Sequence, residues 1–328
     1  MSRRAEAAAA EASRIAQDRY AEQVAVAMLA SRSALDAWSE LDTRNIARSW
    51  LQLVFRRLLG PVYTAQLTVA RGAQGYVERV AEAYNRVRRR RIPRPSLHVE
   101  PSRLAGVASD GRELPTLLYQ PAITALRAIE RGATTREATA VGATQLDMIV
   151  RTQVADAGRV ATGVEVTATE TLGYVRMLNP PSCSRCVILA GRFYRWNEGF
   201  ERHPRCDCIH IPATEDVADD LRTNPQAYFD SLTEAEQNRV FTNAGAQAIR
   251  DGANIGRVVN ARRGMTTAAN GRLTTQRVMG RDIFTTTEGT RRRRDARRVR
   301  LMPEQIYIEA NGDREEAIRL LRLHGYLR

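Results

Sequence analysis

Apolar positions three and four apart, set among Ala, Glu, Gln and Arg, run through the first ninety residues, and no Gly or Pro precedes Gly60-Pro61. Such a composition favours helix. Ile46, Trp50, Leu53, Val54 and Leu58 fall on one stripe. Gly60-Pro61 reads as the end of that helix, and a second helix is expected from Val62 to Val87, packed on the first as a hairpin. From Arg91 to Gly111 the pattern is lost. Pro93, Pro95 and Pro101 with flanking arginines disfavour helix and read as an exposed linker. Helices resume at Pro115, where Ile123, Leu126 and Ile129 share a face. Thr134 and Glu137 match a capping box, whose two side chains satisfy free backbone N–H groups at a helix start. The helix they open is expected to reach Ala157, with Leu146, Val150 and Val154 on one side.

Between Gly163 and Met177 the spacing shifts towards alternation, as at Val164 and Val166. Tyr174 to Leu178, Phe193 to Trp196 and Cys208 to Ile211 are predicted strands of a small sheet packed on the preceding helices. Thr233 and Glu236 form another capping box, opening a helix through Ile249 that buries Val240, Phe241 and Ala244. Gly252 to Thr290, rich in Gly, Thr, Asn and Arg, reads as helix plus extended loop. Pro303 to Ile308 reads as extended. Asp313 to Glu316 starts a last helix with Ala317, Leu320 and Leu321 on its apolar face, and Gly325 ends it. The expected fold is α+β, mainly helical, with long N-terminal helices and a small sheet carrying a cysteine cluster. The expected divisions are a helical arm (1–90), a Pro/Arg-rich linker (91–113), an α+β domain (114–250) and a basic region with a C-terminal helix (251–328).

Length changes this picture little: 328 residues suggest two domains, or one domain with long arms, at about 150 residues per domain. With 43% hydrophobic residues the chain has material for a core, which excludes a disordered tail. No stretch approaches the ~20 apolar residues of a membrane span. Met1 to Ala10 lacks the apolar core of a signal peptide, so secretion by that route is not expected. Charge is more telling. The formal net charge is +13, and every basic residue is arginine. Arg88, Arg89, Arg90 and Arg91, with Arg86 and Arg94, make one block. Arg291, Arg292, Arg293, Arg294, Arg297 and Arg298, with Arg300, make another. Both are expected to be exposed and to meet nucleic acid or an acidic partner, since the guanidinium fork matches phosphate and carboxylate oxygens. A simple solvated face gives the same pattern.

The four cysteines all lie between Cys183 and Cys208. Cys183-x2-Cys186 is followed by nineteen residues and then Cys206-x-Cys208. A Cys-x2-Cys turn brings two thiolates to one ion, and a second close pair completes a tetrahedron that suits structural Zn²⁺. Such a clip stabilises a small sheet with little core, because binding free energy becomes folding free energy. Cys206 and Cys208 reach one ion only where the backbone turns, so three cysteines with His203 form an alternative ligand set. His210 shares a strand face with Cys206 and Cys208. Disulfides and unligated thiols are competing readings. Catalytic cysteine chemistry is the weakest reading, and a catalytic zinc is disfavoured because four protein ligands leave no open position. Arg185, Arg192, Arg195, Arg202 and Arg205 flank the cluster, and contact with phosphate and donation to its thiolates are both open readings. Trp196 and Phe200 read as core or partner-facing.

The stretch from Tyr174 to Pro212 resembles the Mu F-like minor head proteins of tailed bacteriophages. The resemblance rests on Cys183, Cys186, Leu189, Gly191, Phe193, His203, Pro204, Cys206 and Cys208. Leu301 to Arg328 is similar to the endings of related proteins of actinobacterial siphophages. The resemblance implies a minor structural protein in the virion head, made and assembled in the host cytoplasm. The implied partners are the portal protein, the major capsid or scaffold protein, and packaged DNA. It also implies that the cysteines maintain the fold. Related proteins carry the label of capsid maturation protease. The chain has neither a Gly-x-Ser-x-Gly elbow nor a His-Glu-x-x-His helix, and its histidines are His98, His203, His210 and His324. An HNH-like nuclease would need histidine and acidic groups around a catalytic ion, and those roles find no full set of residues. A DNA-binding structural protein is the remaining alternative. The residues favour a structural role over an enzyme.

Overall fold

A computed structural model describes residues 3–87, 91–180, 182–198, 208–262, 276–278, 281–286 and 300–327. In chain order its helices and strands are α1 (Arg3–Ser39), α2 (Ile46–Leu53), α3 (Leu59–Asn85), α4 (Leu114–Leu118), α5 (Gln120–Glu130), α6 (Thr135–Ala168), β1 (Gly173–Arg176), α7 (Ser184–Ala190), β2 (Phe193–Tyr194), β3 (His210–Ala213), α8 (Ala218–Leu221), α9 (Pro225–Ser231), α10 (Glu234–Phe241), α11 (Asn243–Arg250), α12 (Ile255–Ala261), β4 (Gln276–Val278), β5 (Arg281–Ile283), β6 (Thr285–Thr286), β7 (Arg300–Leu301), α13 (Pro303–Ala310) and α14 (Arg314–Leu323). The protein is mainly helical, with a long N-terminal helix and a three-stranded sheet. No helix among the described residues is long and apolar enough to cross a membrane. The chain forms two compact units: Met1–Met177 with Arg192–Arg222, and Leu178–Gly191 with Thr223–Arg328.

In the first unit α1, α3 and α6 pack on one another along their lengths, with α2, α4 and α5 closing one end. Small residues set the spacing. Ala12, Ala16, Ala27, Ala30, Ala34 and Ala37 bury one side of α1, which brings helix axes close. Glycines on the facing helices take the larger side chains. A Cβ on Gly142 would lie 2.4 Å from the Trp38 ring, and one on Gly158 would lie 2.6 Å from Gln23. Trp38 meets Trp50 edge to face at 4.7 Å, and Trp50 donates its indole N–H to Leu118 O at 2.9 Å. Thr134 and Glu137 make the expected capping box at the start of α6.

Two helix boundaries differ from the sequence reading, and the proline-rich segment is better anchored than it reads. Gly60-Pro61 does not end a helix. A π-helical turn at Val54–Leu58 joins α2 to α3, and Pro61 falls in the first turn of α3. The π-helical turn is continuous with α3, Leu59 N–H donating to Val54 O, and the chain stays helical through Pro61. Gly163 does not weaken α6 enough to stop it, and the helix runs on to Ala168 with Ala161, Glu165 and Val166 buried. The segment 91–113 is largely exposed, as expected, but its backbone is tied to the helices. Ile92, Ala105 and Ala108 are buried, and its backbone is held by helix side chains: Val99 N–H donates to Glu165 (2.8 Å), Gly106 N–H to Gln66 (2.9 Å) and Ser109 N–H to Gln153 (2.7 Å).

The second unit packs α7 and α9 to α14 around Phe229, Phe241, Met302, Ile306, Leu321 and Tyr326. The expected helix from Thr233 keeps its capping box but breaks at Thr242, whose φ of +70° a helix cannot hold. The Thr242 hydroxyl caps α11 by accepting from Gly245 N–H. Pro303 to Ile308 is helix α13, not an extended segment, and Pro303 occupies the first helical position that its fixed φ favours.

Candidate functional site

The sheet lies in the segment that holds the cysteines. Central β1 pairs antiparallel with β2 through Tyr174↔Tyr194 and Val175↔Phe193, and with β3 through four pairs from Gly173↔Ala213 to Arg176↔His210. Gly173 is required. A Cβ there would lie 2.3 Å from Tyr194 O and 2.5 Å from the Phe193 ring. Strand alternation puts Tyr174 and Arg176 on one face with their partners Tyr194 and His210. Tyr174 stacks between the two, 5.2 Å from Tyr194 and 4.1 Å from His210. Its hydroxyl donates to Glu198 O at 2.7 Å.

Cys208 sits just before β3 in the same unit, 2% exposed. Arg176, itself 1% exposed, donates Nε–H to Cys208 Sγ at 2.8 Å. Arg159 reaches from α6, donates Nε–H to Cys208 O at 3.0 Å and pairs with Asp156 at 2.6 Å. Two buried guanidinium groups therefore converge on one cysteine. Helix α3 holds the β3 edge of the sheet. Tyr76 OH donates to His210 O (2.7 Å) and Tyr84 OH to Pro212 O (3.0 Å), so carbonyls of an edge strand are satisfied by side chains. Burial pushes the Tyr76 phenol far above its usual range, and also raises Tyr194. Both hydroxyls stay protonated at neutral pH.

The other cysteine pair is in the second unit. Cys183 is the N-cap of α7, its sulfur accepting from Cys186 N–H at 3.5 Å. The two sulfurs are 3.3 Å apart, farther than the ~2.05 Å of a disulfide. Cys183 is partly exposed and Cys186 is buried. Val187 in the next position enters the core of that unit and fixes the first turn.

Of the expected ligands, Cys183 and Cys186 are brought together. Cys206 and His203 lie outside the described residues. Among the described residues no three His, Cys, Asp or Glu side chains converge as a metal-ligating group. In the first basic block Arg86 pairs with Glu11 at 2.7 Å, Arg94 pairs with Glu82 at 3.2 Å, and Arg91 is exposed. Arg88, Arg89, Arg90, Arg291, Arg292, Arg293, Arg294, Arg297 and Arg298 lie outside the described residues. His98 Nδ1 is 3.1 Å from the buried carboxylate of Glu165, which also holds Val99 N–H. His324 Nδ1 accepts from Leu301 N–H at 3.3 Å. The His324 ring thus holds a backbone segment, and His98 pairs with the carboxylate that holds another.

Arg159, Arg176, Tyr76 and Tyr84 were missed by sequence reasoning. Arg176 has a signal, since it is a charged residue inside the apolar run Tyr-Val-Arg-Met. Tyr76 and Tyr84 share a face of α3 at eight-residue spacing, but nothing in the sequence distinguishes a tyrosine that braces a sheet edge from one that fills a core. No family model, no curated protein sequence and no solved structure matches the chain.

Proposed function

We propose that this chain is a minor structural protein of a phage head. It associates with the portal or the inner capsid during procapsid assembly and DNA packaging or ejection, and its cysteine segment is a structural zinc clip. The observation that carries the reading is the Cys-x2-Cys … His-Pro-x-Cys-x-Cys pattern of Cys183, Cys186, His203, Cys206 and Cys208, with the first two sulfurs 3.3 Å apart. Two thiolates on a tetrahedral zinc at 2.3 Å stand about 3.8 Å apart. A small outward turn of either side chain therefore accommodates the ion. Cys206 with Cys208 or His203 would supply the remaining ligands. The ion's contribution is to fold, since four protein ligands leave no position for a substrate. Arg176 fits the same role: an N–H donor behind a ligating sulfur fixes its orientation and spreads its charge.

The arginine excess suits a place beside packaged DNA or an acidic face of the portal. The assembly role is tested by co-expression with the portal and shell proteins of the same phage. Co-sedimentation with portal rings or procapsids is expected. A chain that stays at the top of the gradient in every combination would count against it.

A further inference from the structure

We propose that Cys183 and Cys186 form a redox-responsive dithiol that a hydroperoxide converts to a disulfide within the first turn of α7. Three observations place the chemistry. The sulfurs are 3.3 Å apart, so closing to about 2.05 Å needs a shift smaller than a rotamer change. The pair is unequal, with Cys183 partly exposed and Cys186 buried. The turn that carries them is fixed by the cap bond to Cys186 N–H and by Val187 in the core, which keeps the two sulfurs side by side. A partly exposed cysteine in contact with a buried one suits the roles of attacking and resolving thiols.

The steps balance with hydrogen peroxide as the oxidant. The Cys183 thiolate attacks one peroxide oxygen. The S–O bond forms, the O–O bond breaks, and the departing hydroxide takes a proton to become water. The Cys186 thiolate then attacks the Cys183 sulfur. The S–S bond forms, the S–O bond breaks, and the second oxygen leaves as hydroxide and takes the second proton. Two thiols and one peroxide give one disulfide and two waters. Where zinc is bound, both sulfurs are lost as ligands and the ion is released. That last consequence alone rests on the zinc reading.

The test uses the full chain and exploits Arg185, which lies between the two cysteines. Trypsin cuts after Arg185, so only a disulfide keeps the two peptides together. The chain is exposed to hydrogen peroxide, its remaining thiols are alkylated, and the digest is weighed before and after dithiothreitol. The expected result is one linked species that splits on reduction. In Cys183→Ser the oxidation of Cys186 is expected to slow at least tenfold. Equal alkylation of both cysteines before and after peroxide, or linkage of either to Cys206 or Cys208 instead, would overturn the proposal. Zinc released is read in parallel with a chromogenic chelator. A linked peptide without zinc leaves the dithiol standing and removes the zinc clip. Zinc without a linked peptide does the reverse.

Discussion

The helical packing of α1, α3 and α6 and the small sheet of β1 to β3 belong to one compact unit but are held by different means. The helices fit because alanine and glycine leave room, and their tolerance is a question of volume. The sheet fits because Arg159, Arg176, Tyr76 and Tyr84 aim donors at Cys208 and at edge carbonyls, and its tolerance is a question of hydrogen bonding. A region with few residues to bury relies on polar contacts whose loss leaves buried partners stranded.

That contrast can be broken most forcefully at Trp50. Trp50→Ala removes a fully buried ring and its bond to Leu118 O, and should cost about 3–5 kcal/mol in denaturant unfolding. In the sheet, Arg176→Met keeps most of the volume and loses only the donors. It should still cost about 1.5–3 kcal/mol, and Arg176→Lys should not restore it because the guanidinium geometry is lost. Full stability of the methionine variant would show that the sheet, too, is held by volume.

Two glycines of α6 sharpen the steric side. Gly142→Ala drives a methyl into the Trp38 ring, and should lose about 1 kcal/mol net after the helical gain of alanine. Gly163→Ala meets nothing within 4 Å and should gain about 0.5–1 kcal/mol. Thermal unfolding of the two variants should move in opposite directions. Equal shifts would mean that the close approach at Gly142 does not matter.

The smallest effect is acid dependence. The capping hydroxyls of Thr134 and Thr233, and the N–H groups beside them, hold Glu137 and Glu236 below the usual glutamate range. A carboxylate with a depressed value in the folded state contributes stability that is complete above its unfolded value of about pH 4.3 and disappears as pH falls through the folded value. Glu137→Gln should flatten the loss of stability below that pH, and an unchanged acid limb would count against the capping-box contribution.

The long helices were legible in the sequence because their signals are local: alanine-rich periodicity and the capping boxes at Thr134 and Thr233. What failed depended on neighbours. Pro61 stays inside a helix that a π-helical turn carries on from α2, which periodicity does not show. Thr242 breaks a helix because its hydroxyl caps the next one. The proline-rich segment is tied down by Gln66, Gln153 and Glu165, which are distant in sequence. The Cys183–Cys186 pair was legible from spacing alone. The role of Arg176 was not, since it depends on the register that sets β1 against β3.

The central claim, a zinc clip that maintains the fold of a head protein, is tested most directly by the zinc content of the purified chain beside its Cys206→Ser variant, measured by elemental mass spectrometry. The account predicts one zinc per chain, lost in the variant together with cooperative unfolding. A folded, metal-free chain whose four thiols all react with an alkylating agent would contradict it.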